Sequence, residues 1–452
     1  MMKVVHYTLG EYPFRTGGMT IYVDSLIENQ SLLYGKNNIM RLSVASNFVP
    51  FSYIRYRGKN HFELVNIGFI PLLLGVKHPD QFLSESSNSS RLYEIIDDFK
   101  PDILHIHTLM ALPESLIDYC KSKSIHIVMT THDFYGICPR VNLINSKGDL
   151  CNNIIAGCGE CNKNASSLLM IKIKNMRLFH KCKASFRKID KVIKKKTTNN
   201  AVDSNPVTNV ISYKQLFDYN NSIIRKIDLF IYNSSQTKDI YSKYYGERHS
   251  TTLFVTTASI KYNQKVTKVF GNETKKLRLL YIGPENTYKG LPGLLSVLER
   301  INPALCELHI YGCNAMNQKN VFYHGYYEQN DISTIFNDID LLIVPSLCYE
   351  TLSLVTLEAI SFNIPVLLSD HVGAKDIVAN INEWFVFKSL DDLFLKITHI
   401  ISHRDVLRLF VSKAQSMNLN FTMDKHVKCL HTIYEKELNN KSYKNENSNT
   451  GN

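Results

Sequence analysis

The chain has 452 residues, about three times the length of an ordinary single domain, so two domains are expected. Apolar residues make up 44% and charged residues 21% of the sequence, a composition that excludes wholesale disorder. The net charge of 52 − 41 = +11 is concentrated between residues 171 and 198, where eleven Lys/Arg and one acidic residue give a local +10. Because the remainder is near neutral, a general nucleic-acid-binding surface is not expected.

Neither a membrane-spanning segment nor a secretory signal is predicted. The N-terminus becomes polar too soon for the apolar part of a signal peptide, and the apolar run 69–74 is far shorter than a bilayer span. Ten cysteines without such a signal predict reduced thiols in the cytoplasm, where clustered cysteines are metal-ligand candidates before they are disulfides.

Both halves of the chain alternate short apolar runs with amphipathic stretches of helix length. Strands are predicted at 3–7, 103–107, 125–130, 228–232, 278–282, 307–311, 340–344 and 364–368. This alternation predicts an α/β protein with two doubly wound parallel sheets, and the polar stretch 256–274 is the expected linker.

Ligands of such sheets bind beyond the carboxyl ends of the strands, where helices begin. Gly17-Gly18 lies between the first strand and a helix predicted at 21–33, and could bring backbone amides close to a diphosphate or simply form a turn. His132 directly follows the strand 125–130 and is either a ligand-contacting side chain or a loop histidine capped by Asp133.

Two further histidines lie within a predicted strand. His105 and His107 alternate with Ile106, so both are expected to point to one face of the sheet and to be packed there. We therefore predict a structural role for them and not a catalytic one.

In the second half, the loop from Gly283 to Gly290 separates a strand from a helix predicted at 291–301. Lys289 in this loop could bind a phosphate as a point charge, or could be a solvated lysine in a turn.

The segment 344–359 is the most informative. Its strand ends at Pro345, Glu350 follows in a loop, and Glu358 belongs to a helix predicted to begin near Ser353. Eight residues of helix would separate two backbone positions by ~12 Å. This spacing suits one carboxylate on the hydroxyls of a nucleotide-sugar and the other on its ribose, with the diphosphate at the helix N-terminus. The alternative is a capping glutamate and a surface glutamate.

In this order, the motifs resemble those of retaining, family 4-type glycosyltransferases of the GT-B fold, of the kind that builds bacterial surface polysaccharides. The resemblance covers nearly the whole chain. It rests on Gly17-Gly18, Pro101-Asp102 before His105 and His107, Thr131-His132-Asp133, Cys138-Pro139-Arg140, Asn233-Ser234-Ser235, Tyr281-Ile282-Gly283, Lys289-Gly290, Ile310-Tyr311-Gly312 and the Glu350/Glu358 pair.

The resemblance implies two Rossmann-like domains facing across a cleft. The implied boundaries are an acceptor-side domain at 1–260, a donor-binding domain at 270–420, a helix at 421–438 that returns to the first domain, and a disordered tail at 439–452.

It also implies roles for individual residues. His132 and Glu350 would be catalytic, with His132 near the anomeric carbon and Glu350 on the donor sugar. The donor nucleotide would be bound by Gly17, Gly18, Gly283, Lys289, Glu358 and the backbone amides of Leu352, Ser353 and Leu354.

Two departures from the family pattern stand out. Pro284 replaces an arginine that often follows the strand glycine, so Arg15 or Arg140 is the candidate for a second phosphate cation. The usual phenylalanine-glycine after the first glutamate reads Leu352-Ser353.

The implied reaction is transfer of a hexose from a nucleotide-diphosphate donor to a saccharide acceptor with retention of configuration. Lipid-linked acceptors at the inner face of the bacterial plasma membrane, in O-antigen, capsule or exopolysaccharide synthesis, are the implied setting. No cofactor is expected to be required for catalysis, because Lys289, helix N-termini and loop amides would stabilise the leaving diphosphate.

Four cysteines form a cluster with C-x12-C-x6-C-x2-C spacing in the stretch 138–161, namely Cys138, Cys151, Cys158 and Cys161. Four thiolates could form a tetrahedral structural zinc site, although the spacing is not that of a standard finger and independent free thiols are the alternative.

The basic segment 171–198 has the pattern of an amphipathic cationic helix. Its apolar residues recur every three or four positions, at Phe179, Cys182, Phe186, Ile189 and Ile193. Such a helix favours peripheral contact with an anionic membrane, and a helix packed on the N-terminal domain is the alternative.

Two other functions compete with the transferase. A nucleotide-sugar epimerase would share the fold without needing an acceptor. A nucleic-acid-binding protein would use the cysteine cluster and the basic segment, but it would leave the phosphate-loop motifs of the second half unexplained.

Overall fold

The structure is a computed structural model that describes residues 2–15, 17–83, 89–152, 154–177, 179, 206–260, 275–316, 318–328 and 331–449. Contacts divide the chain into two units. The N-terminal unit comprises Met1–Tyr232, Ile240–Thr252 and Val427–Asn452, and the C-terminal unit comprises Asn233–Asp239 and Leu253–His426.

The N-terminal unit is built on an eight-stranded sheet of order β3-β4-β2-β1-β5-β6-β7-β8, parallel except for the β3–β4 pair. Its strands are β1 (Val4–Thr8), β2 (Ile39–Ala45), β3 (Tyr53–Gly58), β4 (His61–Val65), β5 (Ile103–Ile106), β6 (His126–Thr130), β7 (Leu229–Tyr232) and β8 (Ser250–Thr252). Strands β1, β2, β5, β6 and β7 are buried along their whole length, as expected when helices cover both faces of a parallel sheet.

Helices follow β1, β4, β5, β6 and β7, with three of them after β6. They are α1 (Gly18–Tyr34), α2 (Ser89–Phe99), α3 (Glu114–Ser122), α4 (Cys158–Asn162), α5 (Leu168–Lys174), α6 (Pro206–Arg225) and α7 (Ser235–Tyr245). Helix α7 begins in the C-terminal unit and ends in the N-terminal unit.

The C-terminal unit contains a six-stranded parallel sheet of order β11-β10-β9-β12-β13-β14. Its strands are β9 (Leu277–Ile282), β10 (Cys306–Tyr311), β11 (Val321–Gly325), β12 (Leu341–Val344), β13 (Val366–Ser369) and β14 (Val386–Phe387). Numbered from β9, this order is 3-2-1-4-5-6, that of a dinucleotide-binding sheet, and its strand order reverses between β9 and β12.

The remaining helices are α8 (Leu291–Glu299), α9 (Ile332–Asn337), α10 (Leu354–Ser361), α11 (Lys375–Asn382), α12 (Leu390–Ser402), α13 (Asp405–Ser416) and α14 (Met423–Asn449). Helix α14 leaves the C-terminal unit after His426 and packs from Val427 onward with the N-terminal unit. It extends to Asn449, into the segment predicted to lack structure.

The predicted doubly wound α/β fold is confirmed, and each of the eight predicted strands overlaps a strand of the structure. The short strands β8, β11 and β14 were not predicted, and neither were β2, β3 and β4. The sequences of β2, β3 and β4 contain charged residues, among them Arg41 in β2 and Glu63 in β4, which are buried with ion-pair partners. Such pairs interrupt the apolar pattern from which a buried strand is predicted. The linker segment 261–274 and residues 180–198 of the basic segment lie outside the described residues.

Candidate active site

Lys289 and Glu350 meet at the point where the strand order of the C-terminal sheet reverses. Lys289 lies in the loop after β9 and Glu350 in the loop after β12, and these strands are neighbours. The Lys289 Nζ lies 2.9 Å from Glu350 Oε1. Burial alone would lower the pKa of Lys289, but the Glu350 carboxylate and nearby groups raise it above its ordinary value. Lys289 therefore stays charged, as a phosphate-binding cation must.

A close backbone approach makes this pairing possible. Gly290, directly after Lys289, has φ +78°, and a Cβ built there would lie 1.7 Å from the Pro345 carbonyl oxygen. Only glycine fits both this conformation and this space. The sequence motif Lys289-Gly290 is thus explained by the need to bring the two loops together.

The loop that carries Glu350 is held by several hydrogen bonds. The Ser346 hydroxyl donates to Glu350 Oε1, and the Glu350 backbone bonds to both sides of the loop after β13, through His371 O (3.0 Å) and Gly373 N (2.9 Å). A Cβ on Gly373 would lie 2.3 Å from the Thr351 carbonyl oxygen. This packing fixes the Glu350 carboxylate in position beside Lys289.

Helix α10 begins four residues after Glu350. Leu352 is buried, Ser353 precedes the helix, and Leu354 is its first residue. The first amide N–H groups of a helix lack intrahelical acceptors and carry the positive end of the helix dipole, so this end can bind an anion. Ser353 has φ +139°, a conformation that favours glycine. The serine thus occupies a backbone position that is better suited to glycine, the residue that the family pattern has there.

Glu358 is buried on α10 and is held by hydroxyl groups. Ser259 Oγ donates to its Oε1 over 2.8 Å, and Thr257 Oγ1 lies 3.4 Å from the same oxygen. Burial raises the pKa of Tyr327, and the Glu358 charge raises it further, which places that phenol near this carboxylate. The carboxylate already binds hydroxyl donors, which is the chemistry that a ribose would present.

In the N-terminal unit, the loop after β1 carries the predicted glycines. Gly17 has φ +140° and precedes α1, and Gly18 is the first residue of that helix. Arg15 in the same loop is buried, and its Nη2 donates to Asn175 Oδ1 over 2.7 Å. Burial lowers the pKa of Arg15 to about 10. The structure thus gives Arg15 a protein partner, and its role as a phosphate cation stays a prediction.

His132 lies just beyond β6, half-buried, with its Nε2 3.1 Å from His107 Nδ1. Asp133 does not cap it: Asp133 Oδ1 accepts the Tyr135 backbone N–H over 2.8 Å, and burial raises the Asp133 pKa to about 6. His105 and His107 are buried, as predicted. The hydrogen bond between His107 and His132 was not predicted. The available signal was the His105-x-His107 alternation beside a histidine at the end of the next strand.

Arg140 lies with the cysteine cluster, where its Nη1 donates to the Cys161 carbonyl over 3.3 Å. The four clustered thiols are near one another: burial and, to a smaller extent, the charges of the other three cysteines raise the pKa of Cys158 to about 12. However, these thiols do not form a group of metal-ligand atoms that all lie within 4.8 Å of one another. Among the described His, Cys, Asp and Glu residues, only His6, His105 and His107 form such a group of three or more. The thiols have the chemistry of a zinc site but are not arranged as a closed tetrahedron.

The described start of the basic segment packs on the N-terminal unit. Arg177 is ion-paired with Glu11 and Glu63 and lies over the Phe14 ring, 4.1 Å from its centroid. Lys172 Nζ donates to the Val49 carbonyl over 3.1 Å. Within the described part of the chain, no helix is long and apolar enough to cross a bilayer.

Comparison with known proteins agrees with this geometry. Residues 263–417, the part that contains Lys289, Glu350 and Glu358, match the family described as "Glycosyl transferases group 1". A Klebsiella pneumoniae protein described as an uncharacterized 41.2 kDa protein in the cps region is 23% identical over 125 residues, 26% of this chain and 35% of that protein. The chain thus matches about a third of the length of this relative.

Solved structures show the same fold. HepE from Anabaena, solved with UDP, gives a TM-score of 0.58 at 12% identity, over 96% of this chain and 100% of HepE. A glycosyltransferase from Rickettsia africae gives a TM-score of 0.58 at 14% identity, over 96% of this chain and 99% of that protein. A sucrose-phosphate synthase from Thermosynechococcus elongatus gives a TM-score of 0.56 at 12% identity, over 96% of this chain and 98% of that protein. The fold is therefore GT-B, and the family match supports a glycosyltransferase.

Proposed function

We propose that the chain is a retaining, family 4-type glycosyltransferase that moves a hexose from a nucleoside-diphosphate donor to a saccharide hydroxyl. The observation that carries this proposal is the Lys289–Glu350 ion pair at the switch point of the C-terminal sheet, followed by Glu358 on α10. The crystal structure of HepE with UDP, and that of Escherichia coli trehalose-6-phosphate synthase with UDP-2-fluoro-glucose, support a nucleotide-sugar donor.

The proposed chemistry follows from the charge of the leaving group. As the bond to the anomeric carbon breaks, negative charge grows on the diphosphate, and Lys289 with the amides of Leu352–Leu354 would stabilise it. Glu350 would bind hydroxyls of the donor sugar, Glu358 the ribose, and His132 a further sugar hydroxyl. Retention would follow if the acceptor attacks from the face of the departing phosphate, which takes the acceptor proton. We expect this reaction to need no divalent metal.

The experiment is a panel of nucleotide-sugars incubated with the full chain and a bacterial lipid extract. Sugar transfer to lipid with retained anomeric configuration supports the proposal, whereas inverted products contradict it. Conversion of the donor without an acceptor would instead indicate the epimerase.

We further propose that the acceptor is lipid-linked and that the N-terminal unit contacts the inner face of the plasma membrane. Phe48 and Phe51, between β2 and β3, are 65% and 61% exposed, and the Lys172 bond to Val49 places the start of the basic segment against this loop. Exposed aromatic rings beside a cationic segment fit an anionic lipid surface. The cps-region relative fits a role in capsule, O-antigen or exopolysaccharide synthesis.

Vesicle co-sedimentation tests this surface. We expect binding to vesicles containing phosphatidylglycerol and not to pure phosphatidylcholine, with release at high salt. Phe48→Ser with Phe51→Ser should weaken binding, whereas Leu395→Ser, an equally exposed residue (64%) of the C-terminal unit, should not. Equal binding to both vesicle types would contradict the proposal.

The zinc site stays a prediction. Binding would require the 138–161 loop to bring its thiols closer together, with zinc–sulfur distances of about 2.3 Å. About one zinc per chain in the purified protein, lost in a Cys158→Ser/Cys161→Ser variant, supports the site. A metal-free protein with four alkylatable thiols contradicts it.

A further inference from the structure

A chain of three hydrogen bonds runs from the interior of the N-terminal unit to His132. Gln30 Oε1 on α1 lies 2.6 Å from His6 Nε2, and His6 Nδ1 lies 3.0 Å from His107 Nε2. His107 Nδ1 lies 3.1 Å from His132 Nε2. His6 belongs to β1, His107 directly follows β5, and His132 lies two residues beyond β6. These three strands are adjacent, so the sheet itself sets the spacing of the histidines. We call Gln30, His6 and His107 the histidine relay.

The relay is buried and uncharged. Gln30 and His6 are fully buried and His107 nearly so. Burial lowers the pKa of His6 to about 3 and that of His107 well below its ordinary value, and the nearby Arg41 lowers both further. A neutral imidazole has one N–H donor and one acceptor nitrogen. Each ring of the relay can therefore donate only one hydrogen bond and accept only one.

This restriction gives the relay a direction. With the Gln30 amide oriented as in the structure, its Oε1 faces His6 and can only accept, so the proton of His6 is on Nε2 and its Nδ1 accepts from His107 Nε2. His107 Nδ1 is then an acceptor, and His132 Nε2 must donate to it. The proton of His132 is thus placed on Nε2, and Nδ1 becomes its basic nitrogen.

We propose that Gln30, His6 and His107 are positioning residues that hold His132 in its Nε2-protonated tautomer, so that Nδ1 accepts a hydrogen bond from a hydroxyl of the donor sugar. The tautomer assignment stands on the N-terminal unit alone. The sugar hydroxyl as the partner rests on the proposed function.

A metal ion is the competing explanation of this cluster, because His6, His105 and His107 offer ligand atoms within 4.8 Å of one another. Each of these rings already has hydrogen-bond partners at both nitrogens. For His105 they are Thr130 Oγ1 at 2.7 Å and the Tyr434 hydroxyl at 2.5 Å. An ion would have to break hydrogen bonds that satisfy both ring nitrogens of each of these three histidines, so the contacts favour the relay.

The two amide variants of His107 separate the two bonds that it makes. The side-chain amide of His107→Asn reaches the position of Nδ1 and can still accept from His132, whereas that of His107→Gln reaches the position of Nε2 and can bond only to His6. We expect His107→Asn to keep the His132 tautomer and most of kcat. His107→Gln should lose the tautomer preference and lower kcat by about 10- to 100-fold, with a small change in KM.

The tautomer is measured directly by two-bond ¹⁵N–¹H correlation in full-length protein labelled at histidine, at pH 7. We expect the wild-type His132 signal to be that of an Nε2–H ring. His105→Asn and His105→Gln are the matched controls, because His105 is equally buried but lies outside the relay, and both should leave the His132 tautomer unchanged.

Three results would overturn the proposal: an Nδ1–H tautomer for wild-type His132, equal effects of His107→Asn and His107→Gln on tautomer and kcat, or a stoichiometric metal removed by substitution of His6. A wild-type chain that transfers no sugar would refute the proposed function, and the tautomer measurement would still decide the relay.

Discussion

Lys289 Nζ lies 2.9 Å from Glu350 Oε1, and the two residues reach each other from the loops of adjacent strands, 61 positions apart in sequence (350 − 289). Under the proposed function, the pair combines a cation for a phosphate with a carboxylate for sugar hydroxyls at one end of one sheet. Neither side chain is needed to complete the apolar core of the unit. Their conjunction is what the proposed donor, which carries both negative charge and hydroxyl groups, would require.

We expect Lys289→Ala and Glu350→Ala each to lower sugar transfer by about 10²- to 10³-fold, because each removes a group that acts on the reacting part of the donor. The melting temperature should change by only a few degrees, since both side chains are partly solvent-exposed. Initial rates with the best donor of the panel are the measurement. Lys396→Ala is the matched control: it breaks another lysine–carboxylate pair, with Asp392 at 3.0 Å, and should keep wild-type rates.

The backbone before α10 is expected to be strained. Ser353 has φ +139°, which costs a non-glycine residue ~1–3 kcal/mol, while glycine loses ~0.5–1 kcal/mol more chain entropy on folding. Ser353→Gly should therefore raise the unfolding free energy by ~1 kcal/mol in urea denaturation. Ser361→Gly, at the regular end of the same helix, should lower it by ~0.5–1 kcal/mol. If the Ser353→Gly protein were less stable than wild type, the claim that the backbone is strained at Ser353 would be wrong.

The contact between Gly290 and Pro345 gives a steric prediction. Gly290→Ala would place Cβ 1.7 Å from a backbone oxygen, so we expect it to prevent correct folding of the C-terminal unit or to lower its melting temperature strongly. Gly148→Ala has a similar positive φ of +92° with no atom within 4 Å of the added Cβ, and should cost only the conformational penalty. Comparable melting temperatures for the two variants would contradict the close approach.

The sequence was sufficient to predict the positions of those strands that consist mainly of apolar residues. The predicted strands 103–107 and 228–232 correspond to Ile103–Ile106 and Leu229–Tyr232, because strands buried on both faces are largely apolar. Strand β3 was missed because Arg55 and Arg57 lie in it, and only the structure shows that both pair with Glu63 of the neighbouring strand.

The candidate site could be predicted in outline only. Lys289 and Glu350 were found because each follows a recognisable strand, and Glu358 because it lies in the helix after Glu350. The hydroxyls of Ser259 and Thr257 that hold Glu358 are about a hundred positions from it in the sequence. A contact between residues so far apart cannot be predicted from a local sequence pattern. For the same reason the hydrogen bonds from Gln30 to His132 could not be predicted, because they depend on the order of β1, β5 and β6 in the sheet.

Stability of the chain should fall as the pH is lowered through 6.5. His6 has a pKa of about 3 and His426 a pKa of about 4 in the folded chain, both lowered by burial, against about 6.5 when unfolded. Above pH 6.5 both states bind no proton at these rings. Between pH 6.5 and 4 only the unfolded state takes up a proton at each ring. Each ring therefore lowers the unfolding free energy by ~1.4 kcal/mol for every pH unit that the pH falls.

Urea unfolding at pH 7.0 and 5.5 measures this effect. His6→Gln, which removes one titrating ring, should show a smaller difference between the two pH values than wild type. Identical pH dependence of the two proteins would show that His6 is not buried in its neutral form.

The most direct test of the central claim is nucleoside-diphosphate release from a panel of nucleotide-sugars, with bacterial lipid extract as acceptor source, by wild-type protein and by Glu350→Ala. We predict release with a restricted set of donors by the wild-type chain, stimulated by the extract, and a loss of at least 10²-fold in the variant. Wild-type turnover in Glu350→Ala would contradict the assignment of the C-terminal unit as the donor site.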